Sequence, residues 1–195
     1  MSFKNILCFG TLNPDLIYFV DELPNKGDDI RSSKSFIRPG GTAINCSELI
    51  SLWNKTVEVR GNSVGNDPMG NYLVEYLREN NINFDGLIIN ELMTPTCSIF
   101  VDASGERTIV SSGYEGLEWS NFENLSSFDS LMLDRYSIRF VKDNLKDLKK
   151  LNNLFVCQAG YEYEIDYKLD FLIVSKDEIS VNEANNLIDL SLIHI

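Results

Sequence analysis

Histidine is almost absent from this chain of 195 residues. The sequence contains one copy, the penultimate residue His194. A Ser-His-Asp triad, a Cys-His pair and a histidine metal cage all need an imidazole inside the site. The sequence therefore argues against histidine-based catalysis.

Two glycine-rich nucleotide-binding motifs are also absent. GTLNPD follows the first apolar run, where a dinucleotide fold carries GxGxxG, and the sequence contains no GxxxxGK[ST] phosphate loop. These absences argue against a dinucleotide-binding fold and against a P-loop.

Basic residues are scarce, with 17 Lys and Arg against 29 Asp and Glu, a formal net charge of -12. Such a surface repels phosphate backbones and anionic lipids, so we expect neither a nucleic acid nor a membrane partner. No apolar run is long enough for a signal peptide or a bilayer span. These absences favour a cytoplasmic protein.

Paired cysteines are absent as well, since the four cysteines are far apart and form no CxxC motif. Each lies in an apolar segment, which predicts buried thiols in a reducing compartment. They are Cys8, Cys46, Cys97 and Cys157.

Apolar runs alternate with amphipathic segments along most of the chain. Buried strands are predicted at 4–10, 57–61 and 130–134 and in LFVCQAG and FLIVS, with helices at 42–53, 71–80 and 137–152. Repeated strand and helix units of this kind predict a three-layer α/β fold with a mostly parallel central sheet.

Other segments mix polar and apolar residues as strands with one exposed face do. They are 16–20, 29–38 and the β-rich stretch 84–113, in which SGER predicts a hairpin turn. We expect them to form a small additional sheet.

Polar residues and glycines stand where predicted strands end and helices begin. Ligands of open α/β sheets bind at the carboxyl ends of strands, so the Asp15 loop and the Gly-Gly start of the first helix are predicted to meet there. A carboxylate, an amide and free N–H groups at the first helical turn suit a neutral polyol. A turn-forming Asp15, a surface Asn45 and a simple Gly-Gly turn are the ordinary alternatives. The set comprises Asn13, Asp15, Gly40, Gly41, Asn45 and, in a glycine-rich loop, Asp67.

Six segments occur in an order and at a spacing typical of one family of enzymes. They are GTLNPDLIYFVDELPNKGD, RPGGTAIN, GNSVGNDPMG, TCSIFVDASGERTIV, LMLDRYS and VSKDE. In these segments the chain resembles the N-terminal two-thirds of ribokinase-like, PfkB-type carbohydrate kinases. The resemblance implies a ribokinase-like fold with a β lid at about 16–38 and 96–113, and ATP-dependent phosphorylation of a sugar or related polyol hydroxyl. It implies that Asp15 binds sugar hydroxyls, assisted by the positions of Asn13, Gly41 and Asn45.

The resemblance also implies ATP and Mg2+ as cofactors. VSKDE stands where the family often has Asn-x-x-Glu near magnesium and the phosphates, so that Glu178 fits and Ser175 replaces the Asn. Glu178 would then bind Mg2+ directly or through water. An ordinary charge at a helix N-terminus is the alternative for Glu178. Arg135 departs from the small residue often found after the LMLD strand.

The family's GAGD-type segment, which carries the general base and an anion hole, has no counterpart in residues 1–195. We therefore expect a truncated kinase domain at 1–189 whose C-terminal part is missing, a non-native tail at 190–195, and no activity of the chain alone. The alternative is a non-catalytic module that binds sugar or interacts through its lid. For a homodimer, the resemblance implies pairing through the lid strands.

Overall fold

A computed structural model of the chain describes residues 4–141, 145, 154–160, 169–174 and 191–194. The helices are α1 (Thr42–Ser51) and α2 (Pro68–Glu79), and residues 138–141 are also helical. The strands are β1 (Asn5–Gly10), β2 (Asn13–Phe19), β3 (Lys34–Gly40), β4 (Thr56–Gly61), β5 (Val64–Gly65), β6 (Ile89–Asn90), β7 (Thr96–Val101), β8 (Arg107–Ser112), β9 (Ser130–Asp134), β10 (Phe155–Ala159), β11 (Leu169–Ile173) and β12 (Ser191–His194).

In the described residues the central sheet has six strands in the order β12-β11-β10-β9-β1-β4, and every neighbouring pair is parallel. Alternate residues of β1 point to opposite faces, because the side-chain period of a strand is two. Leu7 and Phe9 join one apolar core, which includes Ile138 and Leu145, while Ile6 and Cys8 join the other, which α1 and α2 cover. The prediction of a layered α/β fold with a mostly parallel sheet is confirmed.

A second sheet, which we call the lid sheet, has the order β3-β2-β7-β8. β2 is antiparallel to β3 and parallel to β7, and β8 returns antiparallel to β7. The predicted hairpin turn at SGER connects β7 to β8, so this part of the prediction is confirmed.

The strand boundaries in and near the lid sheet differ from the sequence prediction. β2 starts at Asn13 rather than at 16, and β3 covers Lys34–Gly40 rather than 29–38, because Asn13 pairs with Gly40. At the start of the predicted β-rich stretch 84–113, residues 84–90 contain only the short strand Ile89–Asn90, which pairs with β5. Asp15 therefore lies within a strand and not in a turn.

The ends of both helices differ from the sequence prediction, and local chemistry explains the start of α2. α1 ends at Ser51, two residues before the predicted end, whereas α2 begins at Pro68, three residues before the predicted start. Asp67 is the N-cap of α2, and its Oδ1 accepts a hydrogen bond from the Gly70 N–H at 2.8 Å. Proline at the first helical position costs no hydrogen bond, so this start is favourable.

The four cysteines are free thiols, but only Cys8 is fully buried. Cys46, Cys97 and Cys157 are half-buried, which corrects the prediction for these residues. Cys97 lies on the lid sheet, where side chains keep partial exposure. Burial raises the pKa of both Cys46 and Cys157 to about 11.

Within the described residues, no helix has the length and apolar character that crossing a membrane requires.

Candidate functional site

A cavity of about 820 Å³ lies between the lid sheet and the junction of β1, β2 and α1. Four residues of the predicted set line it, namely Asn13, Asp15, Gly41 and Asn45. Gly40 is the last residue of β3, directly before Gly41. The tertiary structure thus brings together five residues whose positions span 13 to 45 in the chain.

Asp15 is half-buried and is held from the side by Asn13. The buried Asn13 donates a hydrogen bond from Nδ2 to Asp15 Oδ1 at 2.7 Å. In the lid sheet Asp15 lies between Arg38 on β3 and Cys97 on β7. Burial raises the pKa of the Asp15 carboxyl, while the Asn13 hydrogen bond and the Arg38 charge oppose the rise. The result is a partly desolvated carboxylate in a cavity, which can accept hydrogen bonds from hydroxyl groups.

The two glycines bring backbone close to this carboxylate. A Cβ atom on Gly40 would collide with Asp15 Oδ2, and one on Gly41 would collide with the Thr11 carbonyl oxygen. Gly41 also has φ of +84°, a left-handed conformation that favours glycine. The Gly-Gly pair therefore makes room for the carboxylate and for the entry into α1, as well as forming a turn.

The first N–H groups of α1 are not free, contrary to expectation. Thr42 N–H donates to Thr11 Oγ1 at 3.2 Å, and Ala43 N–H donates to the Thr11 carbonyl at 3.2 Å. Gly41, the N-cap residue, has no side chain to perform this function, so Thr11 caps the helix from another strand end. Sequence reasoning missed Thr11 because its partner lies 31 residues away.

Asp134, at the end of β9, is a second residue that sequence reasoning missed. This buried carboxylate accepts from Thr11 N at 2.7 Å and Thr11 Oγ1 at 2.8 Å, and from Ser137 N at 2.8 Å. It thereby ties the end of β1 to the start of the helical segment after β9. The signal was available, since Asp134 ends a predicted buried strand at the ligand-binding edge.

Tyr114 also contacts the site, and no sequence pattern singled it out. Its hydroxyl donates to Asn13 Oδ1 at 2.9 Å, across 101 residues of sequence. It lines the cavity directly after the lid strand β8 and Gly113. Only the return of the chain from the lid brings it to Asn13.

Asp67 does not join the cavity. Besides capping α2, its Oδ2 accepts from Thr94 N at 2.8 Å, so it anchors the segment leading into β7. Although burial raises the pKa of Asp67, hydrogen bonds from Thr94 and Gly70 outweigh this effect and lower it. Asp67 is therefore a structural residue.

Ser175 and Glu178, the residues predicted near magnesium, lie outside the described residues. Within the described part of the chain, no group of three or more His, Cys, Asp or Glu side chains is arranged to hold a metal ion.

The chain is similar to known carbohydrate kinases in sequence and in fold. The pfkB family carbohydrate kinase model matches residues 4–155. Ribokinase of Dictyostelium discoideum is 24% identical over 192 residues, which are 98% of this chain and 53% of that protein. The chain thus spans about half the length of this curated relative.

Solved structures share the fold. Ribokinase from Cryptococcus neoformans in complex with ADP has a TM-score of 0.76 and 22% identity, over 91% of this chain and 58% of that one. Arabidopsis thaliana ribokinase complexed with ribose and ATP has a TM-score of 0.69 and 15% identity, over 91% of this chain and 62% of that one. Since the family model matches most of its length, this chain belongs to the pfkB family of carbohydrate kinases.

Proposed function

We propose that this chain forms the acceptor-binding side of an enzyme that transfers phosphate from ATP to a hydroxyl of a sugar or related polyol. The observation that carries the proposal is the half-buried Asp15 carboxylate in the cavity. Its Oδ1 accepts from Asn13, and no hydrogen bond from the described residues reaches its Oδ2. An acceptor oxygen of this kind favours sugar hydroxyls, each of which can donate one hydrogen bond.

The remaining members of the proposed acceptor site are Gly40, Gly41 and Asn45. Gly40 leaves space for the Asp15 carboxylate, and Gly41 allows close approach of backbone. Asn45 is exposed in α1 and lines the cavity, so its amide can both donate to and accept from a neutral ligand. A polyol needs this mixture of donors and acceptors, since each of its hydroxyls has both functions.

ATP as phosphate donor and Mg2+ as its counter-ion are part of the proposal. Their support is the family membership and the nucleotides in the Cryptococcus and Arabidopsis ribokinase structures. Glu178 and Ser175 are the residues we propose near the metal and the phosphates, on the family resemblance of VSKDE alone. A cytoplasmic location, where ATP is available, is proposed with them.

We further propose that the 195-residue chain by itself binds an acceptor without transferring phosphate. A sugar kinase needs a carboxylate base for the attacking hydroxyl, and the sequence contains no GAGD-type segment to supply it. A coupled ADP-release assay with the purified chain tests this, and sustained sugar-dependent release would contradict it.

Calorimetry tests acceptor binding. Purified chain is titrated with D-ribose, D-fructose and adenosine separately, and Asp15→Asn is compared with Asp85→Asn, an exposed aspartate outside the cavity. We expect at least one compound to bind, and Asp15→Asn to weaken it roughly 10-fold to 100-fold, the cost of a lost charged hydrogen bond. Failure of all three to bind folded protein, or equal binding by Asp15→Asn, would contradict the proposal.

The alternative function is a non-catalytic module that interacts through its lid. It is favoured by the outer lid strand β8, in which all six residues are exposed, including Ile109 at 52% and Val110 at 55%. An exposed strand edge with apolar side chains is suited to pairing with a second copy. Sedimentation equilibrium that gives a monomer at all concentrations would count against this homodimer.

A further inference from the structure

Tyr114 begins a chain of hydrogen bonds that ends at the proposed sugar-binding carboxylate. The Tyr114 hydroxyl donates to Asn13 Oδ1 at 2.9 Å, and Asn13 Nδ2 donates to Asp15 Oδ1 at 2.7 Å. Asn13 is 2% exposed, so solvent does not compete for either end of its amide. The three side chains therefore act as one unit.

The direction of these bonds matters because a primary amide has an acceptor end and a donor end. With its oxygen toward Tyr114, Asn13 presents N–H to Asp15 and stabilises the ionised carboxylate. With the amide reversed, its oxygen would face the Asp15 carboxylate at hydrogen-bond distance, which is repulsive. In the reversed orientation the Tyr114 hydroxyl would accept from the amide, but the repulsion at Asp15 would remain. The first orientation, in which Tyr114 donates to the amide oxygen and the amide donates to Asp15, satisfies all three side chains.

The Tyr114 hydroxyl has a proton to donate at physiological pH, as every ordinary tyrosine does. Burial, followed by the neighbouring Cys97, raises its pKa further. Gly113 precedes it with φ of +78°, a left-handed turn that ends the lid strand beside Pro95. The hydroxyl thus reaches Asn13 from the end of the lid sheet and not from the central sheet.

We infer that Tyr114 is a positioning residue of the acceptor site, whose hydroxyl orients the Asn13 amide so that Asp15 is held ionised with one oxygen left for the acceptor. This inference rests on the proposed function for its role toward sugar. The orientation of Asn13 and the state of Asp15, however, can be measured without any ligand.

The first test is ligand-free and uses the whole chain. The Asp15 carboxyl is followed by NMR of protein carrying 13C-labelled aspartate, and its signal is identified by its loss in Asp15→Asn. We expect Tyr114→Phe to move the Asp15 titration midpoint to higher pH, because the Asn13 hydrogen bond that stabilises the carboxylate is weakened. Besides Tyr114 itself, the described charged or titratable side chains that pair with Asp15 or line a cavity with it are unchanged in this variant. They are Arg38, Glu48, Cys97, Arg107, Glu115, Tyr136 and Arg139.

The matched control is Tyr18→Phe. Tyr18 lies on β2, stacks on Phe100 at 5.4 Å, and alternates with the cavity-lining positions of the same strand. Removing its hydroxyl should leave the Asp15 midpoint where it is in wild type. An unchanged midpoint in Tyr114→Phe would overturn the inference.

A double variant separates positioning through Asn13 from a direct effect on Asp15. In an Asn13→Ala background, Tyr114→Phe should have no further effect on the midpoint, because the connecting amide is gone. An equal shift with and without Asn13 would show that Tyr114 acts directly, and would overturn the inference.

D-ribose affinity is the second readout. We expect Tyr114→Phe to weaken it by roughly threefold to tenfold, as for one neutral hydrogen bond, and Tyr18→Phe to leave it unchanged. If wild type binds no ribose, fructose or adenosine, the proposed function fails while the NMR titration still decides the role of Tyr114. If ribose binds wild type and Tyr114→Phe equally well, the positioning role fails and the proposed function stands.

Discussion

The central sheet and the lid sheet are built from strands of similar length but bury them to very different extents. Five of the six residues of β1 are buried, whereas all six residues of β8 are exposed. Core side chains cover both faces of β1, while the lid strands have one face toward the cavity. The comparison indicates that the central sheet provides the stability of the fold and the lid sheet provides much of the chemistry of the site.

Each sheet contains a glycine that makes room for an aspartate. A Cβ on Gly10 would lie 2.9 Å from Asp134 Oδ2, and one on Gly40 would collide with Asp15 Oδ2. Asp134 is 2% exposed and bonded to backbone and Thr11, whereas Asp15 is half-buried and faces the cavity. In both sheets, a glycine without a Cβ thus makes room for a carboxylate, which is structural in the core and faces the cavity in the lid sheet.

The largest difference between the two sheets should be in the free energy of unfolding that is lost when one of their apolar side chains is truncated to alanine. Leu133 on β9 is fully buried, so Leu133→Ala should lower the free energy of unfolding by about 2–5 kcal/mol. Ile109→Ala on the exposed β8 should lower it by about 1 kcal/mol or less. Urea unfolding followed by circular dichroism measures both. Similar losses would mean that the lid contributes to the core as strongly as the central sheet does.

Alanine at the two glycines should separate stability from binding. Gly10→Ala should destabilise the fold by about 1–3 kcal/mol through overpacking against Asp134. Gly40→Ala should displace the Asp15 carboxylate and weaken ribose binding by about tenfold or more, with a smaller effect on unfolding. Urea unfolding and calorimetry on both variants provide the measurement. A loss of binding in Gly10→Ala alone would reverse the assignment of roles.

Asp67 joins the two regions, since it caps α2 and anchors Thr94 ahead of β7. Asp67→Ala should cost about 1–2 kcal/mol of stability, as the loss of a helix cap does. Its pKa is lowered in the folded state, so this stabilisation is present above the ordinary pKa of an aspartate and is lost as pH falls through the folded-state pKa. Unfolding curves of wild type and variant should therefore converge in acid, and a constant difference would contradict this.

The smallest expected effect is the pH dependence at Asp15. Its pKa is raised in the folded state, so the folded protein binds the proton more tightly than the unfolded one, and stability falls as pH rises from the unfolded to the folded pKa. Asp15→Asn should thus be slightly more stable than wild type at neutral pH, with the difference fading in acid. Wild-type ribose binding should weaken in that same acid range, because protonated Asp15 loses acceptor capacity. Binding that strengthens on acidification would contradict this.

Much of the fold could be predicted because hydrophobic patterning is local. The apolar strand LCFG, the helix behind Gly40 and Gly41, and the hairpin at SGER all follow from periodicity and turn chemistry. Strand ends were less predictable, since β2 begins at Asn13 only through its pairing with β3. Asp67 was expected among the strand-end polar residues, but its competing role as a helix cap places it elsewhere.

The proposed acceptor site likewise has a part that the sequence could indicate and a part that it could not. The motif order around Asp15, Gly41 and Asn45 is carried by short stretches of sequence, so resemblance to the family proposed these residues without coordinates. Thr11, Asp134 and Tyr114 act through hydrogen bonds across 31, 123 and 101 residues. The local pattern did not identify these long-range bonds.

The sequence alone determined the layered α/β class, the family resemblance and the candidate acceptor residues, because these depend on residue type and on spacing along the chain. The tertiary structure decided that Thr11 occupies the first N–H groups of α1, that Asp134 is structural, and that Tyr114 reaches Asn13. The physical reason is that a hydrogen bond requires its two atoms within about 3 Å. For residues this far apart in sequence, strand pairing and the path of the chain between strands set that distance: β1 pairs with β9, and Tyr114 follows β8 in the lid sheet.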